Sequence, residues 1–396
     1  MTDAMTPDGK NRREPSGPYR LRLPGPTEVP ERVRQAMARP MVSHRGPEFR
    51  AQLAHVESLI QPVLGTTNRV LFFASTGTGM MEAALVNIVC PGERLLIVQH
   101  GQFGERFAGI ARTLKVEIDL LEFPWGSAID PAAVAERVRK TDYRAVVVVH
   151  NESSTSVVAD LAGIGAVLRD NPALLVVDSV SGLGGVEMRQ DEWGVDIVVS
   201  ASQKALMCPP GLGLASISEK AWRVVNRDDR TPGFYWSFAK AMASMEKSET
   251  AFTAPVSMIA GLCEALEMIH AEGLPNVLAR HRRLSAALRA GGQALGLGAF
   301  AHAPTLSGTV VAFQVPEGLD GAKIVRSLYE DHRTVIAGSR NRLAGRVIRI
   351  GTMGALNAGT ILTDLMHLEA VLSEMGCQIA PGAGLVAATA SLAASS

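Results

Sequence analysis

Asp178, at the end of the apolar run LLVVD, and Lys204, in VVSASQKAL, are the two residues of this sequence best placed to do chemistry together. A carboxylate at the end of a buried strand needs a cationic partner. A lysine set among small residues becomes a neutral nucleophile when it is desolvated or lies near another cation. One small molecule, pyridoxal phosphate (PLP), meets both demands. Its aldehyde condenses with an amine as a Schiff base, and its ring N–H pairs with a carboxylate. An Asp–Lys salt bridge, or two unrelated surface side chains, would leave the same spacing in the sequence.

The segment FFASTGTGMMEAAL adds a candidate anion site. A strand ends at Ala74, three small residues turn the chain, and a helix begins near Gly77. The first N–H groups of a helix lack intrahelical partners, and its dipole adds partial positive charge there. Thr76, Gly77 and Thr78 would then cradle a phosphate, with the threonine hydroxyls as further donors. An ordinary capped turn is the alternative, because the motif is neither a Walker loop nor a Rossmann GxGxxG.

These residues sit in a regular alternation. Apolar runs at 70–74, 95–99, 116–122, 145–150, 174–179, 197–200 and 214–217 read as seven strands. Helical stretches separate the earlier ones, including 131–140, opened by Asp130 as N-cap and Pro131 at the first position. Such alternation implies a largely parallel sheet. Runs such as AVVVVH suit strands covered on both faces. In α/β folds ligands gather at the edge where such strands end. The texture changes near Leu266. Two helical stretches lead into strands near 309–315 and 346–351 and helices near 322–331 and 360–375. The expected organisation is a disordered lead-in over 1–18, a large α/β domain over 19–265, a smaller α+β domain over 266–380, and a tail over 381–396. The tail is rich in Ala, Gly and Ser and is expected to pack weakly or fray.

Composition narrows the function classes. With 39 Lys+Arg against 39 Asp+Glu and no basic cluster, nothing argues for nucleic acid as a partner. No apolar run reaches the ~18 residues of a membrane span, and the polar N-terminus lacks a signal-peptide core. The four cysteines (Cys90, Cys208, Cys263, Cys377) lie far apart without metal-ligand spacing, so no metal is expected. A cytoplasmic protein with free thiols is the expectation.

The motifs together resemble the class V aminotransferases, the alanine–glyoxylate and serine–glyoxylate group. The resemblance runs over nearly the whole chain, through LPGPTEVPERV, SHRGPEF, STGTGMMEAALVN, HNESSTSV, SVSGLGGVEMRQDEWGVDIVVSASQKALMCPPGLG and VIRIGTMG in the family's order. It implies the PLP-dependent transferase fold type I and a homodimer with shared active sites. It also implies ping-pong transfer of an amino group from a small amino acid, such as alanine or serine, to a 2-oxo acid such as glyoxylate or pyruvate. Carried over by position, Lys204 is the Schiff-base lysine and Gln203 its cofactor-binding neighbour. Asp178 is the pyridinium partner, and Val180 packs under the ring. Thr76, Gly77 and Thr78 form the phosphate loop, and Phe103 stacks on the ring. Ser153 supplies a hydroxyl to cofactor or substrate, Thr253 reaches the partner subunit's phosphate, and Arg349 grips the substrate carboxylate, a task suited to a planar guanidinium.

Three positions depart from the pattern: Thr250 where many members carry tyrosine, Ser156 where glycine is usual, and Thr352 where many carry histidine. Rival readings are another fold type I enzyme, of desulfurase or lyase type, and a PLP-binding protein without turnover. A desulfurase needs a reactive cysteine on a mobile loop. Cys208 follows Lys204 too closely for that, and Cys377 sits after the last helix of the small domain. His44 and His150 read as structural hydrogen-bonders, and Tyr235 and Trp236 either line an entrance or pack.

Overall fold

The computed structural model describes residues 17–227, 233–302 and 304–394, so most of the expected lead-in lies outside the described residues. The seven apolar runs form one sheet. Its spatial order is Val70–Ser75, Gly211–Ile217, Ile197–Ala201, Leu174–Asp178, Ala145–Val149, Arg94–Gln99, Glu117–Glu122. Gly211–Ile217 runs antiparallel to both neighbours, and the other pairs are parallel. The central strands are buried along their whole length, as their unbroken apolar runs require.

Gly211–Ile217 starts three residues earlier than its apolar run suggests. The reason lies at Gly213, where a side-chain carbon would stand 2.5 Å from Met80 Sδ. The strand needs glycine there to pass the helix Gly77–Val86, and glycines read as loop in sequence.

Helices cover the sheet. Asp130 Oδ1 accepts from Ala132 N at 2.9 Å, capping Pro131–Lys140 as the sequence predicts. The long helix Pro47–Leu64, within and beyond SHRGPEF, packs beside Val256–Glu272 and carries Phe49, Leu53, Val56 and Ile60 into the large core.

A second hydrophobic cluster begins at Leu284, inside the helix Leu274–Ala294, whereas Val277 of that helix still belongs to the first. The change of texture at Leu266 therefore precedes the change of core. The second cluster is built on a four-stranded antiparallel sheet, ordered Gly298–Ala299, Val310–Gln314, Val347–Gly351, Ala337–Gly338. The tail differs from expectation. Residues Ala383–Ala394 form a helix packed on Leu274–Ala294. Small residues at the contact allow it: a side chain on Gly291 would stand 2.9 Å from the Gly384 carbonyl oxygen, and Ala388 is fully buried.

The N-terminal stretch ties the two parts together. Arg20–Leu21 pairs in parallel with Thr334–Val335, and Arg20 and Arg22 both reach the buried Asp364 carboxylate at 2.8 Å. The chain then crosses to the main sheet, where the Pro24 carbonyl accepts from Lys204 Nζ.

Candidate active site

Five parallel strands of the main sheet end at one edge, and the predicted residues follow those ends: Thr76 after Val70–Ser75, Phe103 after Arg94–Gln99, Ser153 after Ala145–Val149, Asp178 closing its own strand, Gln203 and Lys204 after Ile197–Ala201. Arg349 comes from the small sheet, on Val347–Gly351 between Val310–Gln314 and Ala337–Gly338.

Lys204 is buried, and burial pushes its amine down to about 8; the nearby Arg349 and Arg106 charges act the same way, while Asp178 and Glu152 oppose them. Asp178 is fully enclosed. Burial raises its carboxyl to about 6, against the Val180 amide, which donates to Oδ1 at 2.7 Å. Burial thus outweighs that amide and the Lys204 and Arg106 charges, all of which favour the ionised form.

The phosphate-loop residues form a helix N-terminus. Thr76 is the N-cap, its Oγ1 accepting from Gly79 N at 3.2 Å. The amides of Gly77 and Thr78 make no hydrogen bond among the described residues. Gly77 faces Val180 so closely that a side-chain carbon would lie 2.8 Å from Val180 Cγ2. Across the mouth, Arg106 Nη1 donates to Thr78 Oγ1 at 3.1 Å, and its guanidinium lies 4.5 Å above the Phe103 ring.

Arg349 donates from Nη1 to the Ser153 carbonyl at 3.0 Å and from Nη2 to the Gly338 carbonyl at 2.9 Å. It forms no ion pair among the described residues, and its Nε is buried without a partner. The oxygen Oε1 of Gln203 is likewise sealed, and unpartnered among the described residues. Ser153 meets Arg349 through its backbone rather than its hydroxyl. Thr253 alone stands apart from this group: it is exposed, on the loop before Val256–Glu272.

A lysine, a buried carboxylate, open helix amides and a guanidinium without a counter-ion converge at one sheet edge. A family model described as aminotransferase class V matches residues 24–352. The chain belongs to the class V aminotransferases.

This aminotransferase is 37% identical to an L-aspartate–glyoxylate aminotransferase of Paracoccus denitrificans, over 92% of the chain and 94% of the relative. It is 36% identical to a serine–glyoxylate aminotransferase of Hyphomicrobium methylovorum, over 93% of each. Among solved structures, a ureidoglycine–glyoxylate aminotransferase from Bacillus subtilis superposes with a TM-score of 0.90 at 30% identity, over 96% of this chain and 99% of that one. The family and the fold type expected from the motifs are therefore those observed, and membership implies dependence on PLP.

The three departures have local accounts in this aminotransferase. Ser156 sits at φ 64°, a left-handed conformation that favours glycine, and its Oγ donates to the Val310 carbonyl at 2.5 Å. Thr352 is buried, with Oγ1 donating to the Gly308 carbonyl at 2.9 Å. Thr250 turns its hydroxyl onto the Phe252 carbonyl at 2.7 Å. Cys208 is buried and its thiol is pushed up to about 12, the opposite of what a reactive thiol needs. His150 bonds Ser179 Oγ through Nδ1 at 2.9 Å, and burial pushes it down to about 4, so it stays neutral. Trp236 packs beside Phe73, while the Tyr235 hydroxyl donates to the Ala74 carbonyl at 3.0 Å.

Two contributors carried no assignment in sequence. Arg106 lies on the helix after Phe103, and Glu152 lies inside HNESST with its carboxylate fully buried. Its place beside Ser153 in the segment HNESST was the available signal for the second. Arg106 had none beyond its spacing from Phe103.

Proposed function

We propose that this chain transfers an amino group from a small amino acid to glyoxylate or pyruvate by a ping-pong route, with Lys204, Asp178 and Arg349 as its working residues. The residues present fit PLP: an amine for its aldehyde, a carboxylate for its ring nitrogen, unpaired amides at Gly77 and Thr78 for its phosphate, and an unpartnered Gln203 Oε1 beside the lysine. When bound, PLP supplies an aldehyde for the substrate amine and a ring that draws electrons from the substrate's α-carbon.

Lys204 Nζ, its pKa held near 8, is neutral often enough at neutral pH to take the α-proton and return it. Asp178 keeps a proton on the ring nitrogen by charge, which relieves its own burial. Arg349 holds the α-carboxylate and thereby orients the α-C–H bond toward Lys204; a guanidinium without a counter-ion is the observation that carries this reading. Gly77, Thr78 and the hydroxyls of Thr76 and Thr78 would hold the phosphate, Val180 and Phe103 would pack against the ring, and Ser153 would line the substrate side.

Alanine, serine and aspartate are the donors to try, since relatives named for serine and aspartate share most of the chain. We place the active enzyme as a cytoplasmic homodimer with shared sites. The exposed Thr253 and the exposed Phe234 and Tyr235 near the phosphate loop support a partner there, and four unbridged cysteines support a reducing compartment. The test is a half-reaction screen. PLP-loaded protein is mixed with single amino acids, and loss of the cofactor's visible absorbance is followed together with oxo-acid release. If no α-amino acid discharges the cofactor, the proposal fails.

A further inference from the structure

The helix Gln102–Thr113 carries Phe103 and Arg106 to the site, yet its N-cap is Gly101, which has no side chain to cap it. Its first amides are taken by a neighbouring strand end instead. Gln102 N donates to Ser154 Oγ at 2.9 Å, and Phe103 N and Gly104 N donate to Glu152 Oε2 at 2.9 and 3.4 Å. The second carboxylate oxygen, Oε1, accepts from Ser154 N at 3.1 Å and Ser154 Oγ at 2.5 Å. Glu152 thus receives four donors while fully buried. Burial raises its pKa, and these donors oppose that.

Gly101 belongs to the same device. Its backbone is extended, so conformation does not demand glycine; space does. A side-chain carbon there would stand 2.5 Å from Ser154 Oγ and overlap the Glu152 side chain. The next residue, Ser153, gives its carbonyl to Arg349. One short segment therefore holds the helix that bears Phe103 and the arginine assigned to the substrate carboxylate.

We propose that Glu152 is a positioning residue of this site: its carboxylate caps the helix Gln102–Thr113 and so sets where Phe103 and Arg106 stand over the cofactor. An anion at a helix N-terminus is favourable by charge as well as by hydrogen bonding. An amide in its place has one acceptor oxygen, and its NH2 would face donors on the other side. Its effect on turnover rests on the proposed function; its effect on the helix does not.

The experiment is Glu152→Gln, read in two ways. In cofactor-free protein, hydrogen exchange at the amides of 102–104 should speed up about tenfold or more, the scale of a lost charge-assisted bond, with the helix Gly77–Val86 unchanged. In PLP-loaded protein, the visible circular dichroism of the cofactor should change and PLP affinity should fall by about tenfold. Ser154→Ala, which removes one donor to Glu152 and the acceptor for Gln102, should give the same pattern more weakly and serves if the first variant does not fold. Unchanged exchange at 102–104 overturns the proposal. So does a general loss of stability with cofactor dichroism and affinity preserved, which would make Glu152 merely structural. If the variants show the exchange pattern while wild-type protein loaded with PLP is discharged by no amino acid, the positioning role stands and the proposed function is defeated.

Discussion

Arg349 and Ser153 meet across the two parts of the molecule: a guanidinium on the small sheet donates, at 3.0 Å, to a carbonyl in the turn that follows the large sheet's strand Ala145–Val149. The arginine's place in the site therefore depends on how the two sheets dock. With Nη2 on Gly338 and Nε buried without a partner, the fork is braced from behind and still short of an anion.

Arg349→Lys should raise the KM for amino acids and oxo acids alike, with PLP still bound. Lysine keeps the charge and loses the fork. Charge-assisted hydrogen bonds contribute ~1.5–3 kcal/mol, so catalytic efficiency should drop roughly tenfold to a few hundredfold. If steady-state constants stay normal and only thermal stability drops, Arg349 braces the fold and holds no carboxylate.

The depressed pKa of Lys204 makes a kinetic prediction for cofactor-free protein. Only the neutral amine attacks an aldehyde, so the rate of PLP attachment should rise with pH and reach half its plateau near 8, not near the ordinary value of 10.5. Borohydride should then fix the label on the peptide containing Lys204, and Lys204→Ala should abolish both labelling and turnover. A label on another lysine would remove Lys204 from the centre of the site.

Asp178→Asn should affect stability and activity in opposite directions. Burial raises the folded-state pKa of Asp178 to about 6, above its ordinary 3.8, so the folded chain favours the protonated form. Cofactor-free protein should therefore lose stability as pH rises from about 3.8 to about 6, and the neutral amide should remove that loss. At pH 7 and above the variant without cofactor should melt higher than the wild type. Its turnover should fall on the order of a hundredfold or more, because the ring nitrogen loses its charged partner. A calorimetric scan and a rate measurement on one preparation decide the matter; near-normal turnover would place the ring partner elsewhere.

Ser156 offers a stability comparison. Relief of its left-handed backbone by glycine is worth about 1 kcal/mol, and loss of the bond to the Val310 carbonyl costs about the same. Ser156→Gly should therefore be close to neutral in denaturant unfolding. Ser156→Ala loses the bond without relief and should be less stable by about 1 kcal/mol. Equal stability of the two variants would contradict this account.

Much of the molecule was written locally. The seven strands follow from apolar runs, Pro131–Lys140 from its cap, and Thr76 as helix start from small residues after a strand, because each depends on neighbours within a few residues in the chain. The types and order of the motifs were enough to name the family. Other features arise between segments distant in sequence, and no local pattern encodes them. Gly213 is a strand residue because Met80 passes over it, and the tail is a helix because Gly291 and Gly384 let two helices touch. Pro24 meets Lys204 because the N-terminal stretch is pinned to Asp364 on one side and, through Thr27, to the Gln203 and Lys204 carbonyls on the other. The Ser153 carbonyl meets Arg349 only because the two sheets dock, a contact that its place in HNESST does not encode. Glu152 needed the fold most: in the polar segment HNESST it reads as an ordinary loop residue until the uncapped helix behind Gly101 is brought against it, and the cost of burying its charge is then offset by four donors from two segments.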